Sequence, residues 1–240
     1  MALSLDATVC GPEANTYADL DAATTYFEAD ASLGSVWSGL AEAERQRLLV
    51  SAARIIDLAD WAGRPLSAVA FSGYGLEQAR AFPRTGHTYR TGQAASGSTT
   101  TLADSGLADQ PQWPDSFFNE GSVLSLSGSN RGLIRSVSAF DSTAGTLTVA
   151  AFPNAVSAGD SYALIWPLAD KIVQACLEQA GHLYQAGAEG LNDLASRGVS
   201  SASVDGLSLS FDGRPVSELC HRARALLVGY RASGPLLERS

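Results

Sequence analysis

Apolar residues recur at helical spacing in four stretches of the chain. Leu20, Ala23, Tyr26 and Phe27 mark one face of a helix over about 19–30, with Asp19 as its N-cap. Leu48, Leu49, Ala52, Ile55, Ile56 and Ala59 predict a second over about 40–62, with Glu42 and Glu44 favouring its N-terminal dipole; Gly63 and Pro65 end it. Leu168, Ile172, Ala175, Cys176, Leu183 and Tyr184 form a third, opened by Pro167 and ending near Gly187 and Gly190. The last, led by Pro215, carries Val216, Leu219, Cys220, Ala223, Leu226, Leu227 and Tyr230 on one stripe, after a strand with Val204, Leu207, Leu209 and Phe211. A short helix at Leu76–Ala81 is also predicted, closed by Phe82-Pro83, where the residue before proline is pushed out of the α region.

Between the helical halves the texture changes. From about Thr91 to Trp166, Ser, Thr and Gly become frequent and charges few. Predicted strands are Thr99–Ala103, Val123–Leu126, Leu133–Phe140, Thr146–Ala150 and Tyr162–Ile165, separated by turns such as Gly128-Ser129-Asn130 and Gly159-Asp160. The alternation in Leu133–Phe140 is uneven, so its buried face stays open. The expected class is α+β: a helical bundle of about four main helices plus a short strand or hairpin, interrupted by an inserted small β-barrel or sandwich. The helical domain would be 1–90 with 167–240, and the β domain 91–166. Leu48, Ala52, Ile55, Ile56, Trp61, Ile172, Leu219, Leu226 and Leu227 are its expected helical core.

Charge narrows the function. The 240 residues hold 25 acidic and 16 basic side chains, a net charge of -9, and Lys171 is the one lysine. A protein holding DNA by charge needs clustered cations, because each neutralised phosphate adds to the counterion-release gain. Here Arg45, Arg47, Arg54, Arg64, Arg80, Arg84 and Arg90 are dispersed among carboxylates. Cys10, Cys176 and Cys220 read as buried free thiols, no run approaches a membrane span, and the start of the chain lacks a signal-peptide pattern. The expected setting is a reducing cytoplasm.

Chemistry is sparse. His87, His182 and His221 lie far apart and none pairs with a cysteine at zinc-ligand spacing; no phosphate-binding glycine loop, dinucleotide fingerprint or G-x-S-x-G elbow occurs. The pairs Asp19/Asp21 and Asp57/Asp60 read as capping or solvated charges. Trp113, Phe117 and Phe118, near Pro111 and Pro114, fit either a plug for the β domain or an exposed sugar-binding platform. Trp37 and Trp61 read as core residues. No catalytic, cofactor-binding or metal-binding residue is expected, nor an enzymatic activity.

Several segments, in order, resemble tailed-phage head-tail adaptor (head-completion, connector) proteins. They are Asn15-Thr16-Tyr17-Ala18-Asp19-Leu20-Asp21-Ala22-Ala23-Thr24-Thr25-Tyr26-Phe27, Trp37, Asp60-Trp61-Ala62-Gly63, Ala81-Phe82-Pro83-Arg84-Thr85-Gly86 and Ala175-Cys176-Leu177-Glu178. Some such proteins are described as DnaT-like single-stranded DNA-binding proteins. The resemblance implies a homo-oligomeric ring of about twelve copies, seated below a portal protein in the virion neck and meeting the tail or next connector. Genome DNA would pass through without specific binding. It also implies that the C-terminal segment docks on the portal, with Arg231, Pro235, Leu236, Leu237 and Arg239 as contacts. The alternatives are a single-stranded DNA-binding replication accessory protein and a carbohydrate-binding or adhesion module.

Overall fold

The computed structural model describes residues 3–188, 201–204, 207–210 and 219–231. The chain divides into two compact units: residues 1–5, 16–61 and 170–240 form a helical unit, and 6–15 with 62–169 form a sheet unit.

The helical unit starts with α1 (Leu20–Glu28), whose N-cap Asp19 accepts the Ala22 amide at 2.8 Å. A six-residue α2 (Gly34–Gly39) brings Trp37 onto Phe27, ring centroids 4.2 Å apart. The next helix, α3 (Glu42–Asp57), stops earlier than its apolar spacing predicts. Trp61 therefore lies beyond it, donating its indole N–H to the Ile56 carbonyl at 2.9 Å and bridging Arg231 through the backbone. α3 packs on a long α5 (Asp170–Ala188), and α5 on α6 (His221–Leu226). Leu49, Ala52, Ala53, Ile56, Ile172, Ala175, Cys176 and Leu227 are buried between them. Each large aliphatic side chain among these contributes about 1.5–3 kcal/mol, before chain entropy. A hairpin of β8 (Ser201–Val204) and β9 (Leu207–Ser210) precedes α6.

The sheet unit holds a short helix, α4 (Leu66–Ala70), and seven strands. These are β1 (Tyr89–Gln93), β2 (Ser96–Gly97), β3 (Thr101–Ala103), β4 (Ser122–Ser125), β5 (Ile134–Asp141), β6 (Thr146–Val149) and β7 (Ser161–Ile165). They form one antiparallel sheet in the order β1-β7-β4-β5-β6-β3-β2. The central strands β4 and β7 are buried nearly throughout because both faces are covered. Val123, Tyr162 and Leu164 enter one cluster with Phe118, Phe140 and Leu147. Their alternates Leu124, Ala163 and Ile165 enter another, with Val9, Cys10, Leu66, Phe71 and Leu76. Two independent cores thus share one pair of strands, as a side-chain period of two requires.

This corrects the expected fold class. A helical bundle interrupted by a closed barrel or sandwich does not form; the molecule has a single open seven-stranded antiparallel sheet and a few helices. The sheet is not closed, because β1 and β2 are its two edges and do not pair. They are nonetheless consecutive in the chain: Ala94 donates to Asp160 O and Ala95 to Ala103 O, so the backbone steps from one edge to the other and the sheet curls strongly. The predicted helix at 76–81 is also absent. Leu66 and Phe71 in and after α4, and Leu76 in an irregular stretch, supply the second core instead. The uneven alternation of β5 comes from a register shift between Val137 and Ala139, a bulge that changes which residues face inward.

Candidate functional site

Leu48, Ile55 and Leu226 are half-buried, while Ala52, Ile56, Trp61, Ile172, Leu219 and Leu227 are buried in the helical unit. Arg231 is exposed; Pro235, Leu236, Leu237 and Arg239 lie outside the described residues, as do Phe211 and Val216.

The turn at Phe82–Gly86 is built around Arg84. Its guanidinium donates to the carbonyls of Ala62 (2.7 Å), Ala81 (3.2 Å) and Gly63. Around it, Leu66 N bonds Pro83 O and Thr85 N bonds Arg64 O. Gln78, which nothing in the sequence singles out, joins the same network: its amide donates to Arg80 O and Pro83 O and its carbonyl accepts from Ser67 N and Cys10 Sγ. Arg84 is therefore a backbone clamp, with each of its three guanidinium nitrogens on a carbonyl.

Arg90 is similarly committed, lying 4.9 Å over the Trp113 ring. Phe118 is fully buried against Trp113, Phe117, Phe140 and Trp166, so the aromatic group named above packs into the sheet unit's core. Of the seven arginines before residue 100, Arg47, Arg54 and Arg64 are exposed, against eleven carboxylates in the same stretch.

A half-open groove lies in the helical unit beside Tyr26, Asp30, Leu33, Glu178, Gly181 and Cys220. The Tyr26 hydroxyl donates to Glu178 at 2.7 Å, and burial together with that carboxylate pushes its pKa up to about 12. Arg222 reaches the same carboxylate at 3.4 Å. Gly181 lets Phe27 approach α5 closely, since a Cβ there would stand 3.1 Å from its ring.

Burial lowers the pKa of His87, whose Nε2 lies 2.9 Å from the Trp166 carbonyl. His182 and His221 are exposed. Burial raises the Cys10 thiol to about 12, and none of Cys10, Cys176 and Cys220 is in a disulfide. Asp57 accepts the Tyr17 hydroxyl. Among the described residues no three His, Cys, Asp or Glu side chains gather as metal ligands, and no helix is long and apolar enough to cross a membrane.

No curated protein and no solved structure matches the chain. Residues 1–99 match the model of a family described as "Putative DnaT-like ssDNA binding protein", a similarity that spans α1 to α4 and the first two strands of the sheet.

Proposed function

We propose that the chain is a structural, non-enzymatic head-tail adaptor of a tailed phage. It would assemble in the host cytoplasm into a ring below the portal, extend the DNA channel and offer a docking surface to the tail or next connector. The observation that carries this reading is the ordered set of segments from Asn15-Thr16-Tyr17 through Phe82-Pro83-Arg84-Thr85-Gly86 to Ala175-Cys176-Leu177-Glu178. The charge pattern supports it: the net charge is -9, Arg84 and Arg90 are engaged within the sheet unit, and the exposed Arg47, Arg54 and Arg64 are outnumbered by the carboxylates of the same stretch. The test is to mix the purified protein with its portal ring and examine the complex by single-particle electron microscopy. A ring stacked on the portal at fixed stoichiometry is expected; no complex overturns the reading.

The family description of residues 1–99 favours a second reading, binding of single-stranded DNA. That reading requires strongly salt-dependent retention of an oligonucleotide, with stacking on an exposed ring such as Tyr89 offsetting the poor charge. Filter binding at low salt separates the two.

A further inference from the structure

The helical unit carries two exposed stripes of opposite charge and identical spacing. On α1 the outward residues are Asp21, Thr25 and Glu28; on α3 they are Arg47, Ser51 and Arg54, with Glu44 one turn before and Leu58 one turn after. In both sets the steps are four then three residues, so each pair of like charges stands about 10.5 Å apart along its helix. Each has a hydroxyl side chain between.

None of the four charges has an ionic partner among the described residues. Arg47 uses only its Nε, on the Ala43 carbonyl at 2.9 Å. Local helix electrostatics does not account for Glu28, which sits at the C-terminal end of α1, where the dipole disfavours a carboxylate. Leu58, 74% exposed, extends the α3 stripe with an apolar side chain.

We infer that the occupant of each stripe is the opposite stripe of a second copy of this chain. Asp21 and Glu28 of one copy face Arg47 and Arg54 of the next, with Thr25 and Ser51 meeting between them. The match in sign and spacing selects this partner. Two different surfaces are joined, so the contact closes either as a pair using both stripes twice or as a ring. The inference does not depend on where such an assembly sits.

Charge exchange in the full-length protein tests it. Two variants are made, D21K/E28K and R47E/R54E, and the mass distribution is measured by sedimentation velocity at about 0.05 and about 0.5 M salt. All four positions are exposed, so circular dichroism should match the wild type. The wild type should associate at low salt and dissociate at high salt. Each variant alone should associate at least ~10-fold more weakly. An equimolar mixture of the two should recover the wild-type mass, since the lysines introduced on α1 meet the glutamates introduced on α3 only across the mixture. A wild type that is monomeric at low salt, variants that associate normally, or a mixture that fails to recover overturns the inference. So does an R47E/R54E variant that loses retention of an oligonucleotide while self-association persists, which would assign the α3 stripe to nucleic acid.

Discussion

Tyr162 and Asp104, 58 residues apart in the chain, meet inside the sheet unit, where the phenol donates a 2.6 Å hydrogen bond to a carboxylate that is 7% exposed. The other carboxylate oxygen takes the Gly106 amide at 2.7 Å. Gly92, opposite Tyr162 in β1, has no room for a side chain, because a Cβ would lie 2.6 Å from Asp104 and 2.7 Å from the Tyr162 hydroxyl. The pair thus ties the β3 end to β7 beneath β1.

Replacing Tyr162 by Phe keeps the ring and leaves a buried carboxylate oxygen without its donor. A loss of about 1–3 kcal/mol is expected from denaturant unfolding. A loss near zero would mean that water replaces the phenol.

Arg84→Lys retains the charge and removes the fork that spans three carbonyls. The expected destabilisation is about 2–4 kcal/mol, read as a lower thermal midpoint. If Arg84 served mainly as a charge, Lys would restore wild-type stability.

Gly145 has φ +59, and a Cβ there would approach Asp104 O to 2.4 Å and Ala108 N to 2.7 Å. These neighbours are backbone atoms and cannot swing away. Gly145→Ala should cost about 2–4 kcal/mol, measured by the denaturation midpoint at constant slope.

Burial lowers the His87 pKa in the fold, so the native state binds its proton less readily than the unfolded chain, whose value is near 6.5. Its contribution is present above that value and is lost as pH falls through the folded value. His87→Gln, which keeps a donor for Trp166 O, should flatten stability against pH in this acidic window. An unchanged slope would assign acid sensitivity to other groups.

The parts of the fold that the sequence makes legible are those with a repeating apolar signal. α1, α3 and α5 show the helical period, and β3 to β7 show short apolar runs between turns. β1 is not legible because Tyr89-Arg90-Thr91-Gly92-Gln93 is polar and half exposed, and pairing with β7 is what makes it a strand. β2, two residues of Ser and Gly, has no signal of its own. α4 is too short for periodicity, and its leucine is recruited by a core that takes Leu124, Ile134, Ala163 and Ile165 from the sheet. The Phe82–Gly86 turn is visible from its proline, whereas the three carbonyls that Arg84 gathers depend on how distant segments fold back. The α1 and α3 stripes are legible as solvated helix faces; their shared spacing acquires meaning once exposure shows both to be outward.

The second core of the sheet unit has a consequence for the order of synthesis. Val9 and Cys10 belong to it, and Ser122 donates to the Val9 carbonyl, yet residues 16–61 intervene as part of the other unit. Residues 6–15 thus leave the ribosome long before Leu124, Ala163 and Ile165 exist to cover Val9 and Cys10. The helical unit waits longer still, because α3 packs on α5, and α5 on α6, and both of these arrive after residue 170. A chain interrupted before 169 has neither unit complete, so both mature late and nearly together, the helices last.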